Sequence, residues 1–210
     1  MTVDILFDGP AGADTVIALA HGAGAPMDTP FMNGVAGRLA EAGIRVARFE
    51  FPYMAKRRED GRKRGPDRAE ILLGTWRDVV STLAGPARLY VAGKSMGGRY
   101  ASLFSAQTND LADIAGIVCL GYPFHPPGKP ERLRVDHLKS LPVPMLIVQG
   151  ERDSFGTRDE VPLYGLPPYI KIVWTPDGDH SLKPRKASGH TEAGNLDLAC
   201  ASIAEFVARP

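Results

Sequence analysis

Val91-Ala92-Gly93-Lys94-Ser95-Met96-Gly97-Gly98-Arg99 is the stretch around which the chain is organised. The run before it, Ala87 to Val91, is mostly apolar and reads as a buried strand. Tyr100-Ala101-Ser102-Leu103-Phe104, after it, reads as the start of a helix. Gly93 to Gly97 fits G-x-S-x-G, in which the serine sits on a sharp, strained turn between strand and helix. A side chain at Gly93 or Gly97 would crowd that turn, and Gly98 lets the helix pack close to the sheet. The turn exposes the Ser95 hydroxyl and puts the Met96 N–H at a helix N-terminus, facing negative charge that develops there. A phosphate-binding loop also ends in Gly-Lys-Ser, but it needs a glycine where this chain has Arg88. The bland alternative is a Gly-rich turn with no chemistry.

Outward from this stretch, strands and helices alternate. Val3 to Phe7 is a short edge strand, followed by a turn at Asp8-Gly9-Pro10. Thr15 to Ala20 is a near-continuous apolar run, as in a strand covered on both faces. It ends in His21-Gly22-Ala23-Gly24-Ala25. A helix runs from near Thr29 to Ala42, with Pro30 in its first turn and Gly43 as its stop. Ile44 to Phe49 is a strand and Phe51 to Pro66 a long loop. A helix from about Asp67 to Leu83 follows, with Asp67 as a candidate N-cap.

Ile114 to Leu120 is the strand after the helix that follows the sharp turn, or elbow, at Ser95. A proline- and glycine-rich loop, Gly121 to Pro130, and a short helix near Val135 to Ser140 follow. Pro144 to Val148 and Tyr169 to Trp174 are the last strands. The closing helix, about Glu192 to Ala208, has Leu196, Ala199, Cys200, Ile203 and either Phe206 or Val207 at helical spacing. The expectation is one α/β domain over residues 1–210: a mostly parallel sheet of about seven strands, with helices on both faces.

A chain of 210 residues can bury a sizeable core. Its 44% hydrophobic and 23% charged content is that of an ordinary globular protein, and a net charge of +1 gives no field for nucleic acid or membrane. The first residues lack the pattern of a signal peptide, and no apolar run is long enough to span a bilayer. Cys119 and Cys200 lie in apolar segments and read as buried thiols. A cytoplasmic setting is expected; the oligomeric state is left open.

In such sheets, functional residues sit where strands end. Ser95 is the nucleophile candidate, and a serine needs a base to take its proton. His180 follows the last strand in the turn Thr175-Pro176-Asp177-Gly178-Asp179-His180. Asp153 follows the strand before it and is the carboxylate expected to orient His180. Asp177 and Asp179 compete for that role, but their closeness to His180 suits turn formation better. His21 suits an oxyanion loop, His125 a pocket wall, and His137 and His190 the surface. The second oxyanion donor is expected from His21-Gly22-Ala23-Gly24, with Ala23 N–H first and Gly22 or Gly24 N–H as alternatives.

The order Ser95, Asp153, His180 is that of the α/β hydrolases. The chain resembles that superfamily over nearly its whole length. More narrowly it resembles the family that includes testis-expressed protein 30 and a scaffold subunit of the nonspecific-lethal acetyltransferase complex. Four runs carry the likeness: His21 to Ala25, Gly93 to Arg99, Gly121-Tyr122-Pro123-Phe124-His125-Pro126-Pro127-Gly128-Lys129-Pro130, and Gln149-Gly150-Glu151-Arg152-Asp153-Ser154-Phe155-Gly156. The resemblance implies a small hydrolase core without a cap domain and supports Ser95, Asp153 and His180 as a triad.

The expected activity is a serine hydrolase of ester or similar acyl bonds on a small-molecule substrate, with no metal or organic cofactor. Met96 and Ala23 N–H groups would form the oxyanion hole. The rival is a non-catalytic binding or scaffold protein on the same fold. His21, Gly22, Tyr122, Phe124 and Phe155 are the candidate substrate contacts, with Met27, Phe51 and Tyr53 as further apolar wall. Lys56-Arg57-Arg58 and Arg62-Lys63-Arg64 make a basic loop, read as a solvated surface or a contact for an acidic partner.

Overall fold

A computed structural model describes residues 3–85, 87–107 and 114–208. Its sheet is built from β1 (Ile5–Asp8), β2 (Thr15–Ala20), β3 (Arg45–Phe49), β4 (Arg88–Lys94), β5 (Ile114–Leu120), β6 (Met145–Gly150) and β7 (Ile170–Thr175). The order across the sheet is β1-β3-β2-β4-β5-β6-β7. Only β1 is antiparallel, pairing with β3 at one edge. The helices are α1 (Pro30–Glu41), α2 (Pro52–Asp60), α3 (Ala69–Leu83), α4 (Met96–Gln107) and α5 (Glu192–Ala208).

Successive side chains of a strand face opposite sides of a sheet. The central strands therefore feed two separate apolar layers. Ile17, Leu19, Tyr90, Ala92, Val118, Leu120, Leu146 and Val148 meet α1 and α5 on one face. Val16, Ala18, Leu89, Val91, Ile117, Cys119, Met145 and Ile147 meet α3 and α4 on the other. Both faces being covered explains why these strands are continuously apolar. Phe49, Phe51 and Trp76 form an edge-to-face aromatic cluster in the second layer, with Phe49 and Trp76 ring centroids 4.9 Å apart.

Thr29 caps α1, its hydroxyl accepting from Met32 N–H at 3.3 Å, and Pro30 opens the first turn. Two expectations need correction. The stretch Phe51 to Pro66 is not all loop, because Pro52 to Asp60 form α2. Asp67 does not cap α3, which begins at Ala69 after Arg68. It caps α2 instead, accepting from Tyr53 N–H at 2.8 Å.

Three of the six basic residues between Lys56 and Arg64 are engaged within the chain. Arg57 donates to the Gly24 carbonyl, Arg58 bridges Glu50 and Asp28, and Arg64 pairs with Asp60. Between β5 and β6, residues 121–144 hold only a short 3-10 helix, Asp136–Ser140, so no cap covers the carboxyl ends of the strands.

Candidate active site

The sharp turn after β4 is sterically enforced. A Cβ on Gly93 would lie 2.4 Å from the Gly97 carbonyl carbon, and one on Gly97 would lie 2.6 Å from the His21 carbonyl oxygen. Gly98 brings α4 onto β5, since a Cβ there would approach Cys119 Sγ to 2.2 Å. Ser95 has φ 52°, a left-handed conformation that costs a non-glycine residue on the order of 1–3 kcal/mol. That strain lifts the hydroxyl off the end of the sheet.

Asp153 follows β6 and His180 follows β7. Gly150 allows the two turns to touch: a Cβ there would lie 2.3 Å from the Asp179 carbonyl oxygen. Arg152 N–H donates to the Gly178 carbonyl at 2.9 Å, which ties the turns together. The three side chains converge. His180 Nε2 lies 2.8 Å from Ser95 Oγ, and His180 Nδ1 lies 2.8 Å from Asp153 Oδ2. Asp153 is fully buried, while the His180 side chain keeps 22% exposure toward the cleft. Asp153 Oδ1 accepts from Phe155 N–H at 2.9 Å. Phe155 in turn lies over the imidazole, ring centroids 4.2 Å apart.

Asp177 and Asp179 serve the turn. Asp177 pairs with Arg185 and Arg152, and Asp179 Oδ1 accepts from Ser181 and Lys183 N–H.

Met96 opens α4, so its N–H is among the amides a helix leaves without an internal partner. The loop facing it is held from behind. Tyr53 hydroxyl donates to the Ala23 carbonyl at 2.9 Å, Arg57 to that of Gly24 at 3.1 Å, and His21 Nδ1 to that of Gly22 at 2.7 Å. His21 Nε2 accepts from Phe51 N–H at 3.1 Å, so the ring is neutral with its proton on Nδ1. Burial, the largest influence, lowers the pKa of His21 in keeping with that state.

A cleft of about 470 Å³ opens beside Ser95 and His180. Gly22, Ala23, Ala25, Phe31, Met32 and Phe155 are among its walls. Of the expected substrate contacts, Gly22 and Phe155 lie there. Tyr122 and Phe124 do not: both are fully buried, in the apolar layer beneath α4. His21 is also fully buried, behind the loop it braces, and Phe51 and Tyr53 are core.

Met27, expected in the wall, is not among the cleft's lining residues, whereas its neighbours Pro26, Thr29, Pro30, Phe31 and Met32, which sequence reasoning missed, are. Their signal was an apolar first turn of α1 directly after the glycine loop. Two buried charged side chains hold the backbone of this wall: Arg48 donates to the Met27 carbonyl at 2.9 Å, and Glu50 accepts from Met27 N–H at 3.2 Å.

His137, expected at the surface, is instead half-buried and lies 2.9 Å from Ser102 Oγ. This second Ser–His contact has a different character. Ser102 is fully buried and donates its only proton to the Arg99 carbonyl at 2.8 Å. It must therefore accept from His137 Nε2–H, which leaves no base facing it.

The chain belongs to the α/β hydrolases: the family model described as "Alpha/beta hydrolase domain" matches residues 13–208. Among solved structures, Est1E from Butyrivibrio proteoclasticus with ferulic acid bound is 17% identical, TM-score 0.72, over 98% of this chain and 94% of that one. A dienelactone hydrolase from Anabaena variabilis is 19% identical, TM-score 0.72, over 98% and 91%. An alpha-beta serine hydrolase homologue from Coxiella burnetii is 18% identical, TM-score 0.68, over 98% and 91%. At these identities the likeness is one of fold. Among the described residues, no helix is long and apolar enough to cross a membrane.

Proposed function

We propose that this chain, as one hydrolase domain over residues 1–210, is a serine hydrolase of small acyl esters or related acyl bonds. One observation carries the reading: the His180 ring bridges Ser95 Oγ and Asp153 Oδ2, at 2.8 Å on each side.

Ser95 Oγ attacks the acyl carbon while its proton passes to His180 Nε2. The carbonyl π pair moves onto oxygen, where the N–H groups of Met96 and Ala23 stabilise it. Collapse breaks the bond to the alcohol, which takes the proton from His180 and leaves an acyl-Ser95 ester. Water repeats the sequence, giving its proton to His180, and releases the acid with free Ser95. Asp153 keeps the imidazole in the tautomer that has Nε2 free to accept, and steadies it when protonated. The narrower likeness to the family of testis-expressed protein 30 belongs to the same proposal, on the four runs quoted above. The free, buried thiols of Cys119 and Cys200 support a reducing compartment.

The test is labelling by a fluorophosphonate probe, together with turnover of p-nitrophenyl acetate. Wild type should label and turn over, and Ser95→Ala should do neither, with kcat lower by on the order of a millionfold. A folded wild-type protein that neither labels nor hydrolyses would favour the binding or scaffold reading.

A further inference from the structure

Lys94, the residue before the candidate nucleophile, carries a cation for which the hydrolytic steps have no direct use. Lys94 is among the residues that line the cleft beside Ser95. Lys94 Nζ donates to the His180 backbone carbonyl at 2.5 Å. The space for this contact exists because residue 121 is glycine. A Cβ there would lie 2.9 Å from Lys94 Nζ, 2.7 Å from the His180 carbonyl oxygen and 3.3 Å from His180 Nδ1. Ammonium, carbonyl and imidazole thus share one small gap at the end of β5.

The groups facing the ammonium come from three elements. They are Asp153 after β6, Asp179 in the turn after β7, and the Cys119 thiol on β5. Asp153 is committed to His180, Gln149 and Phe155 N–H, and Asp179 Oδ1 to the amides of its own turn. Among the described residues no carboxylate forms an ion pair with Lys94. The Phe31 ring lies on the cleft side, its centroid 5.8 Å from Nζ.

We propose that Lys94 is a positioning residue that joins nucleophile and base: its backbone carries Ser95, and its ammonium clamps the backbone of His180. This rests on the reading of Ser95 and His180 as nucleophile and base. The turn that bears His180 needs such a clamp, because it contains two non-glycine residues at positive φ, Asp177 and Leu182. Acyl transfer is sensitive to this geometry, since a displacement of about 1 Å can cost on the order of a hundredfold in rate. The ammonium is also dischargeable. Burial lowers the Lys94 pKa to about 8, against the opposing pull of Asp153. Above that pH the clamp becomes a neutral hydrogen bond, roughly half as strong as the charge-assisted one.

The experiment compares wild type and Lys94→Met, which keeps an unbranched apolar stem, on p-nitrophenyl acetate from pH 6.5 to 9.5. At pH 7 the variant should lose about ten- to a hundredfold in kcat with KM little changed. Wild-type kcat should fall with a midpoint near pH 8. The variant should show no such fall, because its clamp is already absent. Unchanged kcat in the variant, a flat wild-type profile, or a variant that keeps the alkaline fall would each overturn the proposal. If Lys94→Met does not fold, the pH dependence of fluorophosphonate labelling in wild type decides the matter, and a flat rate through pH 9.5 refutes it. Ser95→Ala separates the two readings: activity persisting in that variant would refute the nucleophile assignment itself.

Discussion

Gln149 Nε2 donates at 2.9 Å to Asp153 Oδ2, the same carboxylate oxygen that accepts from His180 Nδ1. Gln149 is fully buried at the end of β6 and also exchanges hydrogen bonds with the backbone of Tyr122, through Tyr122 N–H at 2.7 Å and the Tyr122 carbonyl at 3.1 Å. It fixes the Asp153 carboxylate relative to the end of β5. Gln149→Leu would leave the buried Tyr122 N–H without its partner, at about 1–3 kcal/mol, and would take from Asp153 Oδ2 one of its two hydrogen bonds. The variant should unfold at lower urea and, where still folded, turn over ester more slowly. Turnover equal to wild type in the folded variant would show that Asp153 needs no such support.

Tyr53 makes a comparable contribution to the other half of the site. Its hydroxyl holds the Ala23 carbonyl from behind, and in the proposed mechanism the N–H of the same residue receives the oxyanion. Tyr53→Phe keeps the buried ring and removes one hydrogen bond, worth about 1 kcal/mol of stability. The expected result is a small drop in Tm with a larger relative fall in kcat than in substrate affinity. Equal losses in both would place Tyr53 outside oxyanion binding.

What could be read from the sequence, and what could not, divides along physical lines. The elbow, the two turns after β6 and β7, and the parallel sheet rest on local rules: apolar runs, glycine at close approaches, and function at strand ends. α2 escaped notice because Lys56-Arg57-Arg58-Glu59-Asp60 has no apolar stripe. Its cap, Asp67, acts from beyond the next loop. Pro52 at its start and Gly61 at φ 69° at its end were the signals present. Tyr122 and Phe124 were misplaced for a related reason: aromatics after a strand serve core or pocket equally well, and only tertiary packing, here the contacts of the two rings with each other and of Phe124 with Tyr164, decides. His137 could not be recognised as buried without knowing that Ser102, on α4, faces it.

His137 gives a pH-dependent stability. Burial, helped by the nearby Arg99 guanidinium, lowers its pKa from the usual 6.5 of an imidazole to about 4. As pH falls below about 6.5, the unfolded chain binds a proton that the folded one refuses. Stability is therefore lost between about pH 6.5 and 4, and His137 contributes no pH dependence above that window. His137→Gln keeps a donor for Ser102 and cannot titrate. Its urea midpoint should fall less between pH 7 and 4.5 than that of wild type. Parallel slopes in the two proteins would rule out His137 as an acid-sensitive element.

The cleft sets the last expectation, the length of acyl chain accepted. With no cap between β5 and β6, its walls come from residues 22–26 and 29–32, Phe155 and the His180 turn. The first methylenes of an acyl chain can pack against Phe31, Met32 and Phe155. Each CH₂ so buried contributes about 0.8 kcal/mol, or roughly fourfold in kcat/KM. Beyond these side chains the wall consists of exposed residues such as Ala25 and Pro30, and further methylenes remain in water. Across p-nitrophenyl esters from acetate to palmitate, kcat/KM should rise over the first few carbons and then level off or fall. Phe31→Ala should flatten the early rise while leaving the acetate ester nearly unaffected. A constant that climbs steadily to palmitate would mean that a longer apolar surface is recruited, and would refute the short-chain preference.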